Sequence, residues 1–167
     1  MKPRLLYLLP FSCLLVVLPL MAGPCYSQSP TAITESDIHA LLNRIDRSTR
    51  KRNVAGIIAP LAKDVKIKYA MSTPGSAQEQ KITLSKEQFA YNLRHNFRRS
   101  ISYQYERKNT RIKIYSDQQT AMVTSEVYEV VTIREGTLRA SSSEVLIVSL
   151  QNGKVVINSI EGRTRVY

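Results

Sequence analysis

The chain has 167 residues, enough for one domain with an ordinary hydrophobic core. It is strongly basic, with 24 Lys and Arg against 13 Asp and Glu, which favours anionic surroundings. Its two cysteines, Cys13 and Cys25, both fall in the first stretch described below, so neither a disulfide framework nor a Cys metal site is expected in the domain.

The chain opens with MKPRLLYLLPFSCLLVVLPLMAGPCYSQ. Lys2 and Arg4 make a basic start, Leu5 to Met21 is almost wholly apolar, and small residues follow, which is the layout of a secretory signal peptide over residues 1–27. The apolar run approaches the ~18 residues of a spanning helix, but Pro10 and Pro19 within it favour cleavage over anchoring. The cut is expected after Ser27, or alternatively after Cys25. MAGPC also suggests a lipid-modified Cys25, although Pro24 stands where a small residue normally precedes such a cysteine. The expectation is an exported protein, periplasmic or secreted, with no membrane span in the mature chain. Without Lys2 and Arg4 it keeps 22 basic residues against 13 acids, about +9 by formal count.

The basic excess is concentrated in DRSTRKR (46–52) and RHNFRRS (94–100). Aromatics are not regularly interleaved with these clusters and no nucleic-acid motif occurs, so nucleic acid is not an expected partner. Solvated helix faces are the plainest reading. Contact with an anionic envelope surface is the functional alternative.

Residues 28–33 read as a linker and 34–167 as one domain. Thr34 with Asp37 resembles a capping box, and Ile38, Leu41, Leu42 and Ile45 then recur at helical spacing, so a helix is expected over 35–50. Asn53 can cap a second, short helix with Val54, Ile57, Ile58 and Leu61 inward, ended by Pro60. KDVKIKYAM alternates as a half-buried strand, with Val65, Ile67, Tyr69 and Met71 on one side. STPGSAQEQ is a polar loop and KITL a short strand. Ser85 with Gln88 caps a third helix, whose Phe89, Leu93 and Phe97 stack four apart. Four long strands follow, over 101–115, 121–133, 137–150 and 155–161, joined by SDQQ, REG and QNG.

Turn chemistry then sets a register. An Asn152-Gly153 turn places Leu150 beside Val155, Val148 beside Ile157, Leu146 beside Ser159 and Glu144 beside Glu161. A turn at Glu135-Gly136 places Glu129 beside Ser142 and Val127 beside Glu144, and one at Asp117-Gln118 sets Ile114 beside Ala121. One sheet face is then apolar except for Ser125, Glu129, Ser142, Glu144, Ser159 and Glu161, which cluster together. These are the candidate pocket residues, with Tyr69, Tyr91, Tyr103 and Tyr105, whose apolar bodies and polar tips suit a ring-bearing ligand. A solvated rim, or structural ion pairs with Arg107 or Arg111, is the plainer reading of the acids. The other face carries Met122, Tyr128, Val130, Val145, Ile147, Val156 and Ile160. An apolar patch of that kind marks an interface, with Val145, Ile147, Val156 and Ile160 at its centre.

The order of elements resembles the nuclear transport factor 2-like superfamily, in particular its SnoaL-like branch. The resemblance covers most of 34–162 and rests on IHALLNRIDRSTRKRNVAGIIAPLAKDVKI, LSKEQFAYNLRHNF and the meander ending in NGKVVINSI. It implies an α+β domain in which about three N-terminal helices pack on a bent antiparallel sheet as a cone with a pocket at its mouth. It also implies pairing of two subunits through the outer sheet face. Members include isomerases, dehydratases, cyclases, ligand binders and assembly modules, so the fold leaves function open.

Family chemistry does not transfer. Ketosteroid isomerase-like members need an acid base, a Tyr on an early helix and a second, protonated acid. Here the first helix has no Tyr, the second acid's place reads Leu146, and the loop from Met71 to Pro74 has no acid. Dehydratase-like members need a histidine and acid pair, but His39 and His95 lie off the apolar stripes of their helices. No metal-ligand spacing, nucleophile elbow or phosphate loop occurs, so no metal or cofactor is expected. The combined expectation is an exported, homodimeric, non-catalytic domain binding a small amphipathic or cationic molecule. The alternatives are a cofactor-free acid–base isomerase, dehydratase or hydrolase acting through Glu144 and its neighbours, and an envelope assembly module.

Overall fold

The computed structural model of the chain describes residues 31–73, 75 and 78–167. The expected leader, 1–27, and the first residues of the linker lie outside the described residues. Three helices, α1 (Glu35–Arg50), α2 (Val54–Ile58) and α3 (Lys86–Arg99), accompany six strands. These are β1 (Leu61–Ser72), β2 (Gln80–Leu84), β3 (Ser102–Ile114), β4 (Thr120–Ile133), β5 (Gly136–Gln151) and β6 (Lys154–Val166).

Each helix begins where its sequence supplies a cap. In α1 the Thr34 hydroxyl accepts from the Asp37 N–H at 3.2 Å, and the Asp37 carboxylate accepts from the Thr34 N–H at 3.0 Å. In α3 the Ser85 hydroxyl accepts from the Gln88 N–H at 3.2 Å while Gln88 Oε1 accepts from the Ser85 N–H at 2.8 Å. Both are reciprocal capping boxes. Asn53 caps α2 through the Gly56 N–H. Among the described residues no helix is long and apolar enough to cross a membrane.

The strands form one sheet in the order β2-β1-β6-β5-β4-β3. It is mixed, not wholly antiparallel as expected, because β1 pairs with β6 in parallel. The β3–β6 meander leaves one edge of β6 open. The chain leaving α2 enters beside that edge, where the Ile157 N–H donates to the Pro60 carbonyl at 2.9 Å. Against the inner face, Ile38, Leu41, Leu42 and Ile45 of α1 bury with Ile67, Val123, Leu146, Val148 and Ile157 into one core.

The Asn152-Gly153 turn forms as expected, with φ of 50° and 71°, the left-handed pair a two-residue hairpin needs. Leu150 pairs with Val155 and Val148 with Ile157. One residue further the expectation fails. Ile147 pairs with Ser159, Leu146 with Ile160 and Glu144 with Gly162, because Asn158 is an extra residue in β6. Its side chain donates to Ser149 Oγ at 2.6 Å and accepts from Gln151 at 3.0 Å. An inserted residue turns every later side chain to the other face. Ile160, Gly162 and Thr164 therefore point inward, while Ser159 and Glu161 point outward.

A second insertion interrupts β3. Ile114 pairs with Ala121 and Ile112 with Val123 as expected, but Asn109 and Thr110 together oppose Ser125. Asn109 takes φ 52° and donates to Glu126 at 2.8 Å. Beyond it Arg107, Tyr105 and Tyr103 face inward, opposite Val127, Glu129 and Val131. The β4–β5 hairpin turns at Arg134-Glu135, one residue before the expected turn, so Val127 meets Ser142 and Ser125 meets Glu144. This moves each partner by two and leaves every side chain on its expected face.

Candidate functional site

Past the two insertions the helices and the inner sheet face separate and enclose a cavity of about 280 Å³. Its floor is organised by Arg107. The guanidinium Nε lies 3.1 Å from Asp46 Oδ1 and Nη1 lies 3.1 Å from Glu144 Oε2. Nη1 also donates to Ser125 Oγ, and Nη2 donates to the Tyr105 hydroxyl at 2.7 Å. That hydroxyl in turn donates to Asp46 Oδ1 at 3.0 Å. The three charged side chains are only 7%, 9% and 14% exposed for Arg107, Asp46 and Glu144. Buried charges persist only when paired and hydrogen-bonded, and each of these is.

Burial pulls the Arg107 guanidinium downward, but Glu144, then Tyr105 and Asp46, outweigh it and leave its pKa raised. It is a permanent cation. Glu144 behaves oppositely: burial raises its carboxyl, Arg107 offsets this only in part, and the nearby Glu129 and Asp46 charges add to the rise. The floor thus holds one fixed positive charge and acids that crowd one another.

The upper wall is different. The Tyr103 hydroxyl donates to Glu129 Oε1, and the Tyr103 ring is held edge-on against Phe97 at 5.2 Å. Burial first, then Glu129, push the Tyr103 hydroxyl well up, so it remains a donor. Among the described residues no ion pair reaches Glu129. Opposite, the Tyr69 ring stacks on Phe89 at 6.5 Å and lies over Gly162, where any Cβ would overlap ring carbons. Glycine at 162 is what gives Tyr69 its place.

Of the expected pocket residues, Glu129, Glu144, Ser142, Tyr69, Tyr103 and Tyr105 do line one cavity. Ser142 is tied to Thr164 at 2.8 Å, and Ser125 sits behind the lining as a support of Arg107. Two candidates are elsewhere. Glu161 projects from the outer face toward Lys68 at 3.7 Å, because Asn158 shifts the register. Tyr91, two residues past Phe89, lies on the far side of α3, where it is 61% exposed and stacks on His95. Ile160, expected on the outer patch, is buried in the core for the same reason as Glu161 is exposed. Val145, Ile147 and Val156 keep their expected face and are half-buried.

Asp46 was hidden within the basic run DRSTRKR, yet it stands four residues after Leu42 and so continues the buried stripe of α1. Arg107, expected only as one of two partners for the acids, is the hub, whereas Arg111 points outward. Among the described residues no group of three or more His, Cys, Asp or Glu is placed to hold a metal ion.

No protein-family model matches the sequence, and no curated protein matches it by sequence. Solved structures match the folded part. A conserved protein from Planctomyces limnophilus superposes with a TM-score of 0.63 at 18% identity, over 80% of this chain and 97% of that one. A nuclear transport factor 2-like protein of unknown function from Pseudomonas putida gives 0.61 at 16%, over 77% and 84%. A hexachlorocyclohexane dehydrochlorinase from Novosphingobium barchaimii gives 0.57 at 16%, also over 77% and 84%. The chain is an α+β cone with an internal chamber. Its fold is the nuclear transport factor 2-like fold, shared with SnoaL-like proteins.

Proposed function

We propose that the chain is an exported, non-catalytic domain whose cone binds a small amphipathic or cationic molecule. This reading rests on the Arg107 network. Asp46 and Glu144 each receive a charge-assisted hydrogen bond from the same buried guanidinium, which makes them rigid supports and poor proton carriers. Above them lies a preformed chamber lined by Met71, Leu84, Phe89 and three tyrosines, the mixture of apolar walls and a few convergent polar groups that suits a small ligand. A filled cone would have suited an assembly module.

The neutral probe N-phenylnaphthylamine, which brightens on leaving water, tests this. One probe should bind per chain, and Met71→Trp, which fills the chamber, should abolish the signal while the melting temperature holds. A dark parent, or a bright Met71→Trp variant, overturns the reading. Export rests on the leader pattern. The intact mass of protein made with its leader should show a start at Tyr26 or Gln28, whereas Met1 retained in the membrane fraction contradicts export.

A second reading, an acid–base enzyme, is favoured by Glu129, whose sole hydrogen-bond partner among the described residues is Tyr103. One of the matched structures is a dehydrochlorinase, so an elimination is the reaction class to assay. Turnover of a ring-bearing halide or alcohol that Glu129→Gln abolishes, with probe binding intact, would establish it.

A further inference from the structure

We propose that the cone takes a primary ammonium group, held between Glu129 and the Tyr69 hydroxyl, with the ligand's apolar body lying in the chambers on either side of Glu129. This rests on the binding reading above and assigns the chemical class and its contacts.

Charge is the first support. Glu129 and Glu144 line the chamber, with Asp46 behind them, against the guanidinium of Arg107. That guanidinium makes four hydrogen bonds, to Asp46, Glu144, Ser125 and Tyr105. Glu129 is left with a neutral tyrosine donor only. A carboxylate in a partly desolvated chamber is stabilised by a cation that the protein itself does not supply. An anionic ligand would meet like charge.

The second support is independent of the acids. Tyr69 lines the chamber, and among the described residues its hydroxyl has no hydrogen-bond partner. Burial, then the charges of Glu144 and Glu129, push that hydroxyl well up, so it is a neutral phenol, on a side chain that lines the same cavity as both acids. Among the described residues no fully buried side-chain oxygen or nitrogen lacks a partner, so this hydroxyl opens onto the chamber, where it is free to bond a ligand. Its oxygen can accept one ammonium N–H while Glu129 accepts another. Arg107 reaches Glu144 through Oε2, which leaves Oε1 for the third.

Space is the third. A second chamber of about 300 Å³ adjoins the first, and Tyr103 and Glu129 belong to the walls of both. Phe97, Val131, Ile133 and Leu138 line the far side together with Arg99, which pairs with Glu135 at 3.8 Å, and Leu138 remains 47% exposed. The carboxylate therefore stands at the junction of two compartments of mixed apolar and polar walls, a position for a charged head with a hydrocarbon or ring body beside it. A calcium or magnesium ion would want about six oxygen ligands, and among the described residues no group of three or more His, Cys, Asp or Glu is placed to hold a metal ion.

Three probes with one body and different heads decide the matter by calorimetry near neutral pH: phenylbutylamine, phenylbutanol and phenylbutyrate. The amine should bind the parent about tenfold or more tighter than the alcohol, and the carboxylate weakest. Glu129→Gln should bring the amine to the alcohol's affinity and leave the alcohol unchanged, which also reports an intact chamber. Tyr69→Phe should weaken the amine by roughly threefold to tenfold. An amine no tighter than the alcohol in the parent, or an amine preference that survives Glu129→Gln, overturns the inference and leaves the binding reading standing. Failure of all three probes removes both.

Discussion

On one half of the sheet's inner face, Val123, Val148 and Ile157 close over Ile38 and Ile67 with almost no surface left exposed. On the other half, along the same strands, Tyr103, Tyr105, Arg107, Glu129 and Glu144 surround open volume. Hydrophobic patterning continues through both, and β4 and β5 stay in unbroken register across the divide. The change is made in β3 and β6, where Asn109 and Asn158 each add one residue and turn the following side chains over. In β3 the turn brings in a guanidinium and two phenols. In β6 it exchanges Glu161 for Gly162 and clears the place that Tyr69 fills. A core face becomes a chamber through two inserted asparagines, each pinned by its own side chain to a neighbouring residue.

The largest expected effect tests whether the polar half is locked by charge. Arg107→Leu leaves Asp46 and Glu144 buried without their cation and should cost about 3–5 kcal/mol in urea unfolding. In the apolar half, Ile157→Val removes one methyl group and should cost about 1 kcal/mol. Equal costs would erase the distinction between the halves.

The outer face extends the comparison to the other side of the sheet. Val145, Ile147 and Val156 form an apolar stripe there, and we propose that two copies pair through it. Ile147→Asp should place a charge in that interface and convert a dimer to monomer in sedimentation at micromolar concentration. A monomeric parent ends the proposal, and an unchanged dimer relocates the interface.

The smallest effect concerns sign. Because the folded protein holds Glu144 above its ordinary 4.5, ionised Glu144 is disfavoured by folding. Its favourable contribution is complete below the unfolded pKa and is lost as pH rises through the folded value. Glu144→Gln should therefore be the more stable protein at neutral pH, with an advantage that fades as the pH falls toward 4.5. The amide oxygen can still accept from Arg107. A variant less stable than the parent at neutral pH would mean that the ion pair outweighs burial.

Much of this architecture is legible in the sequence because its signals are local. Thr34 with Asp37, Ser85 with Gln88 and Asn152-Gly153 each fix a boundary within four residues, and the apolar stripes of α1 and β1 follow from periodicity alone. The insertions are less legible, since a bulge leaves hydrophobic alternation intact on either side and changes only which side is in. Asparagine is depleted in strands, so Asn109 and Asn158 inside long strand runs were the available clue. Glu144 and Glu129 are found without them because β4 and β5 carry no insertion, whereas Glu161 and Ile160, beyond Asn158, exchange faces. Asp46 is legible by spacing from Leu42 once its charged neighbours are set aside. The parallel pairing of β1 with β6 joins segments about ninety residues apart, and no local signal specifies it.

The division of the inner face is tested most directly by methyl NMR during titration with phenylbutanol or N-phenylnaphthylamine. The methyl groups of Met71 and Ile82, at the chamber, should shift with saturation at one ligand per chain, while those of Val123 and Val148, in the closed half, stay fixed. Shifts confined to Val145 and Ile147 on the outer face, or none anywhere, would contradict a ligand chamber in the cone.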